Sequence, residues 1–104
     1  MSEYPLLTVA VAMFQSEDTI ARALNSIYQQ GFHDCEVVVV NDGSSDNSLQ
    51  VAQSVPLPHA WRSAGPTPDV RFVNHPQNLG LGPARNTAAT AARGKYVVFV
   101  DSDD

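Results

Sequence analysis

Two carboxylates one residue apart follow directly on an apolar run. Asp101 and Asp103 flank Ser102 immediately after Tyr96-Val97-Val98-Phe99-Val100. Hard divalent cations prefer oxygen ligands, and a small one is commonly held by one or two carboxylates together with substrate phosphates. Acidic residues at the tip of a buried strand suit that task, whereas the same residues on a solvated tail would do no chemistry. A strand would anchor them at the rim of a sheet, where α/β folds bind ligands. Since a protein rarely stops where its metal site starts, residues 1–104 read as the front portion of a longer one.

The elements that would position this pair follow a regular order. Leu6 to Phe14 is an almost unbroken apolar run, as expected of a strand covered on both faces. A helix follows, for which Ser16 is the expected N-cap, Glu17 and Asp18 complement the positive helix start, and Gly31 stands where a terminating glycine belongs. Its apolar stripe is Ile20, Ala23, Leu24, Ile27 and Tyr28. Glu36 to Val40 is a second strand ending at Asn41, and residues 42–46 form a turn that caps a shorter helix carrying Leu49, Val51, Ala52 and Val55. The segment from Pro56 to Asp69 holds four prolines and Gly65 and reads as a surface loop, with Trp61 as its anchor. Val70 to Val73 is a short third strand. A helix with Pro83 in its first turn and Gly94 past its end leads into strand four.

Composition narrows the classes. Apolar residues make up 43% and charged residues 16%, an ordinary globular balance sized for one domain. The net charge is -5 and no Lys/Arg cluster occurs, which excludes phosphate-backbone binding to nucleic acid. The single Cys35 cannot form an internal disulfide and reads as a small core residue at a strand start. Residues 1–5 are no signal peptide, and no apolar run reaches the ~18 residues of a membrane span, so a cytoplasmic setting is expected.

Alternating strands and helices imply a Rossmann-like α/β fold, a parallel sheet with right-handed crossovers and helices on both faces. With strand order 3-2-1-4, the tips ending at Phe14-Gln15, Asn41-Asp42 and Asp101-Asp103 converge on the switch point where such sheets bind ligands. A dinucleotide site would need glycines between strand one and its helix. Ala12 to Glu17 has none, so NAD and FAD are excluded, and a phosphate loop fails for want of Gly-Lys-Ser/Thr. Gly80-Leu81-Gly82 before a helix could hold an anion, a weak signal that as often marks a tight turn.

The run from Leu7 to Asp104 resembles the start of the family 2 glycosyltransferases, which have the GT-A fold. Four stretches carry the resemblance: Val9 to Glu17, Glu36 to Ser48, Asn78 to Asn86, and Gly94 to Asp104. It implies that residues 1–104 are the nucleotide-sugar (donor) binding portion of an inverting enzyme, one that moves a sugar from a nucleoside diphosphate, here expected to be UDP, to an acceptor hydroxyl. Asp42 matches the family acid that accepts a hydrogen bond from the base, and a carboxylate suits the N3–H of uracil; its other reading is a turn residue. Arg85 matches the arginine near base and diphosphate. Asp101 and Asp103 match the Asp-x-Asp, the first reaching ribose or metal and the second coordinating Mn2+ or Mg2+ on the diphosphate. Where the family often has Pro, then Tyr and Asn, this chain has Ala12, Phe14 and Gln15; Phe14 keeps an aromatic face for stacking a base but loses a hydroxyl.

The family's catalytic base and acceptor pocket follow the Asp-x-Asp, so no catalytic residue is assigned here and the segment alone is expected to be inactive. The alternative is a non-catalytic α/β metal- or nucleotide-binding module. A receiver-like domain would carry its acidic pair after strand one, where this chain has Phe14-Gln15; a nucleotidyltransferase would want a glycine-rich loop there. In a 3-2-1-4 sheet, Tyr96 to Val100 would be an open edge without charge or proline, and pairing of two copies through it is expected.

Overall fold

The computed structural model describes residues 5–30, 34–57 and 70–102. The expected terminating Gly31, the loop anchor Trp61 and the second acid, Asp103, lie outside these described residues. The elements run β1 (Leu7–Met13), α1 (Ile20–Tyr28), β2 (Cys35–Asp42), α2 (Ser48–Ser54), β3 (Val70–His75), α3 (Leu81–Ala91) and β4 (Tyr96–Asp101). The four strands form one parallel sheet in the order β3-β2-β1-β4, as the alternation of strands and helices predicts. Strands two, three and four run one or two residues past the bounds read from the sequence, because ladder pairing continues through Asp42, His75 and Asp101.

Side-chain size sorts the two faces of the sheet. Along β1, Val9, Val11 and Met13 face the core shared with Ile20, Leu24 and Ile27 of α1 and Ala52 of α2. The alternate residues Ala10 and Ala12 face the other way, joining Val38 and Val40 of β2 and Ala84 and Ala88 of α3. Small residues on both sides let α3 lie close to the sheet, with little side chain between. The stripe expected on α1 is buried as a unit, Ile20, Ala23, Leu24, Ile27 and Tyr28; each large member contributes about 1.5–3 kcal/mol. Cys35 is buried at the start of β2.

The start of α1 departs from expectation. The helix begins at Ile20, Thr19 occupies the cap position without a side-chain cap bond, and no acidic residue lies in the first turn. The Ser16 hydroxyl meets Phe14 and Ser102. Only its carbonyl serves the turn, accepting from Thr19 N and Ile20 N. The N-cap assignment to Ser16 is thus corrected, since its side chain is already committed elsewhere.

At the end of the sheet away from the acidic tips, a fully buried Glu36 organises a polar knot. Its carboxylate accepts from Thr8 Oγ1 at 2.8 Å, Arg71 Nη2 at 2.9 Å and Arg93 N at 2.6 Å. Burial alone would push its pKa up, but these bonds and the Arg71 charge hold it below the usual carboxylate value. Gly94 closes the knot through N–H donation to Thr8 Oγ1. A Cβ there would fall 2.5 Å from Thr8 N, so only glycine lets the α3–β4 link pass this close.

Candidate functional site

The C-terminal ends of β1, β2 and β4 open onto one crevice that divides into two adjoining cavities. The smaller, about 220 Å³, has Phe14 and Met13 on one side, Gly80, Leu81 and Ala84 on the other, and Asp42 among its lining; its walls are mainly apolar. The larger, about 500 Å³, is more polar and includes Ser16, Asp18, Asp101 and Ser102. Ala12, Phe14 and Leu81 wall both. Phe14 and Leu81 remain 48% and 53% exposed, so two large apolar side chains flank the crevice without filling it. Of the residues singled out in the sequence, the structure brings Ala12, Phe14 and Asp42 together around the smaller cavity and Asp101 onto the larger, with Arg85 beside Asp101.

Phe14 is presented by an unusual backbone. Gln15 adopts a left-handed φ of 52°, a conformation that costs a non-glycine residue of order 1–3 kcal/mol and persists only where neighbours enforce it. Here they do. Gln15 N donates to Ser44 Oγ, and its Oε1 accepts from Ser45 N at 2.6 Å, Ser45 Oγ at 3.2 Å and Asp46 N at 3.3 Å. One side chain thereby staples the β1–α1 link to the β2–α2 turn.

Asp42 is buried, and its carboxylate already serves four donors. His75 Nδ1 and Leu79 N reach Oδ1 at 2.8 and 3.0 Å, while Asn78 Nδ2 and Gly80 N reach Oδ2 at 3.0 and 2.9 Å. The anion held by the amides before α3 is thus the protein's own. Burial would raise the Asp42 pKa, but hydrogen bonds from His75, Leu79 and Gly80 and the His75 charge hold it below the usual range. An ionised carboxylate only accepts, so the network assigns the proton to His75 Nδ1; Nε2 meets Thr87 Oγ1 of α3 at 2.7 Å. The turn after β2 presses against the same loop: Gly43 has a φ of 73°, and a Cβ there would lie 2.4 Å from Asn78 N.

Asp101 points into a wetter region. Its carboxylate is 59% exposed and lies 3.7 Å from Arg85 Nη2. The Arg85 guanidinium also sits 5.6 Å from the centre of the Phe99 ring, a cation–π distance. Among the described residues no group of three or more His, Cys, Asp or Glu side chains is placed to hold a metal. Asp101 offers carboxylate oxygens in an open polar cavity, which suits an ion that takes most of its ligands from phosphate and water.

Sequence reasoning passed over His75, Asn78 and Thr87. The signal for His75 was available, because in the β2–β3 register it stands directly opposite Asp42. A histidine at the tip of a strand beside an acidic tip is a candidate partner. Thr87 carried no comparable signal, since nothing in an alanine-rich helix marks which residue faces the sheet.

Comparison with known proteins places this geometry. The sequence profile of glycosyl transferase family 2 matches residues 8–104. The glycosyltransferase EpsJ of Bacillus subtilis (strain 168) is 39% identical over 100 residues, covering 96% of this chain and 26% of that protein. The crystal structure of Staphylococcus aureus TarS 1–349 in complex with UDP-GlcNAc superposes with a TM-score of 0.76 at 35% identity, covering 93% of this chain and 26% of that one. The mannosyltransferase PcManGT of Pyrobaculum calidifontis, in complex with GDP-Man and Mn2+, gives a TM-score of 0.78 at 29% identity over 96% of this chain and 28% of that one. The chain therefore spans about a quarter of the length of these relatives.

Proposed function

The chain belongs to glycosyl transferase family 2, and from that membership we propose that it forms the donor half of a sugar-transfer site. The ligand is a nucleoside-diphosphate sugar, UDP-linked in our reading, and the transfer to an acceptor hydroxyl is inverting. The base enters the apolar cavity between Phe14 and Leu81, and the diphosphate lies in the polar cavity toward Asp101 and Arg85. The observation that carries this reading is that the tips of β1, β2 and β4 border one crevice whose two cavities differ in polarity and share Phe14 as a wall. Relatives that bind UDP-GlcNAc and GDP-Man on the same fold support a nucleotide-sugar ligand.

Each residue then has a physical task. Phe14 offers a ring face to the base, and base–aromatic stacking contributes about 1–3 kcal/mol in nucleic-acid cases. Asp42 holds the Leu79–Gly80 backbone that walls the base cavity and lends its negative charge to the base edge. Arg85 supplies positive charge where the diphosphate would lie. Asp101, with Asp103, would hold Mn2+ or Mg2+, which neutralises charge developing on the departing nucleoside diphosphate. Inverting transfer also needs a base for the acceptor proton. We assign none within this chain, so residues 1–104 bind donor without turning it over. No helix among the described residues is long and apolar enough to cross a membrane; a cytoplasmic setting is part of this proposal.

Titration calorimetry with UDP and with GDP, each with and without Mn2+, tests the reading. The expected result is UDP binding in the high micromolar to millimolar range that requires the metal. Tight Mn2+ binding without nucleotide, or no nucleotide binding at all, would overturn it.

A further inference from the structure

We propose that Ser16 is a positioning residue for the Asp101–Ser102 strand tip, tying it to the β1 tip and to the start of α2. The inference deepens the donor-site reading and rests on it. Ser16 is 7% exposed, and both its amide and its hydroxyl are hydrogen-bonded. Its amide donates to Ser48 Oγ at 2.7 Å, and its hydroxyl lies 3.2 Å from the Phe14 carbonyl and 2.9 Å from Ser102 Oγ.

Donor counting gives these bonds a direction. A hydroxyl has one proton to give and two lone pairs. The fully buried Ser48 gives its proton to Asp46 Oδ1, leaving its oxygen to accept from Ser16 N. The Phe14 carbonyl can only accept, so Ser16 donates there and Ser102 donates to Ser16. The chain runs one way, from Ser102 through Ser16 to the backbone that carries Phe14.

The placement of this chain makes it matter for ligand binding. Among the described residues, β4 pairs only with β1, and Asp101 has no closer ion-pair partner than Arg85 at 3.7 Å. Ser102 follows Asp101 directly, so anchoring it fixes the strand tip that carries Asp101. Hydrogen-bonded groups behind a metal ligand typically change metal affinity by roughly 10–100-fold when removed. Ser16 is hydrogen-bonded to Ser102, not to Asp101, and acts through Ser102.

The test compares two probes on the full chain, UDP with Mn2+ and uridine without metal. Ser16→Ala should weaken Mn2+-dependent UDP binding by roughly 10-fold or more and uridine binding by clearly less. Ser102→Ala should do the same, and the double variant should be no worse than either alone, as expected of two residues in one chain of bonds. Ser16→Thr, which keeps the hydroxyl, should recover most of the loss. Equal loss for UDP and uridine, or additive losses in the double variant, would overturn the positioning role, as would unchanged UDP binding in Ser16→Ala. If the unsubstituted chain shows no metal-dependent UDP binding, the donor-site reading falls and this inference with it.

Discussion

Arg85 Nη2 lies 3.7 Å from Asp101 Oδ1, with the two side chains 44% and 59% exposed. A pair this open and this long contributes little to stability, about 0–1 kcal/mol. Both groups can therefore turn toward a ligand at small cost. Arg85→Ala should leave thermal stability within about 0.5 kcal/mol of the parent and weaken Mn2+-dependent UDP binding by ~10-fold or more, as loss of a charge-assisted hydrogen bond predicts. Calorimetry and a melting curve on the same sample read both. A large fall in melting temperature would show that Arg85 serves the fold instead.

Asp42→Asn is expected to damage structure as well as binding. The carboxylate accepts four donors, and an amide would turn an NH2 group toward two of them. Leaving buried donors unmatched costs about 1–3 kcal/mol, more beside charge. Denaturation should show that loss, and UDP affinity should fall with it as the Leu79–Gly80 wall loosens. An isostere that neither destabilises nor weakens binding would remove Asp42 from both roles.

The sheet was legible because alternation of apolar strands and amphipathic helices leaves few topologies, and Val37 to Val40 could hardly lie anywhere but the middle. The strand tips were legible for the same reason, since chemistry-bearing residues followed each apolar run. The side-chain bonds were not. Ser16 looked like a helix cap because serine before an apolar stripe usually is one, and only the fold brings Ser48 and Ser102 beside it. Asp42 looked like an open strand tip, yet a loop 36 residues further on folds over it. Contacts between segments distant in sequence leave no periodic trace.

Gly43→Ala should be costly out of proportion to one methyl group. The position has a φ of 73°, and the new Cβ would meet Asn78 N and the Gln77 carbonyl carbon at 2.4 Å, backbone atoms that cannot swing aside. Strain of the left-handed conformation, about 1–2 kcal/mol, adds to overpacking of about 1–3 kcal/mol. Chemical denaturation checks the sum, and a neutral result would mean that the two loops do not touch.

Acid should loosen the molecule in a defined window. Glu36 is held below its ordinary pKa in the folded chain, so its contribution is fully present above the unfolded value of about 4.3 and is lost as pH falls through the lower folded value. Asp42 shifts in the same direction. Melting temperature should be level from neutral pH to about 5 and fall below about 4.3. Glu36→Gln should flatten part of that fall. It should also lower stability at neutral pH, toward the low end of the ~3–5 kcal/mol of a broken buried pair, since Arg71 is itself 23% exposed. An unchanged acid limb would show that Glu36 is not the group titrating.

The β4 edge offers a further measurement. Tyr96, Val98 and Phe99 are 56%, 46% and 45% exposed, on a strand that carries no charge before Asp101. Residues 1–104 in isolation should pair through this edge, most simply as an antiparallel two-fold dimer. Val98→Lys should shift sedimentation toward monomer. A clean monomer at high concentration before and after the substitution would refute the pairing.

The ladders on either side of β1 turn the sheet into a ruler. Ala12 stands opposite Asp101 on one side and Met13 opposite Asn41 on the other, so the two acidic tips are offset by two residues along the strand and by two strand spacings across it. That sets their Cα atoms roughly 12 Å apart. The span is counted in whole residues and cannot drift. Deleting one residue from Cys35–Asp42 or from Tyr96–Asp101 would shift one tip along β1 by a fixed step and turn the following side chains to the opposite face, whereas lengthening the connection between α2 and β3 would leave the span unaltered. Divergence in this chain should therefore accumulate in the connections and spare the lengths of the two strands that carry the acids.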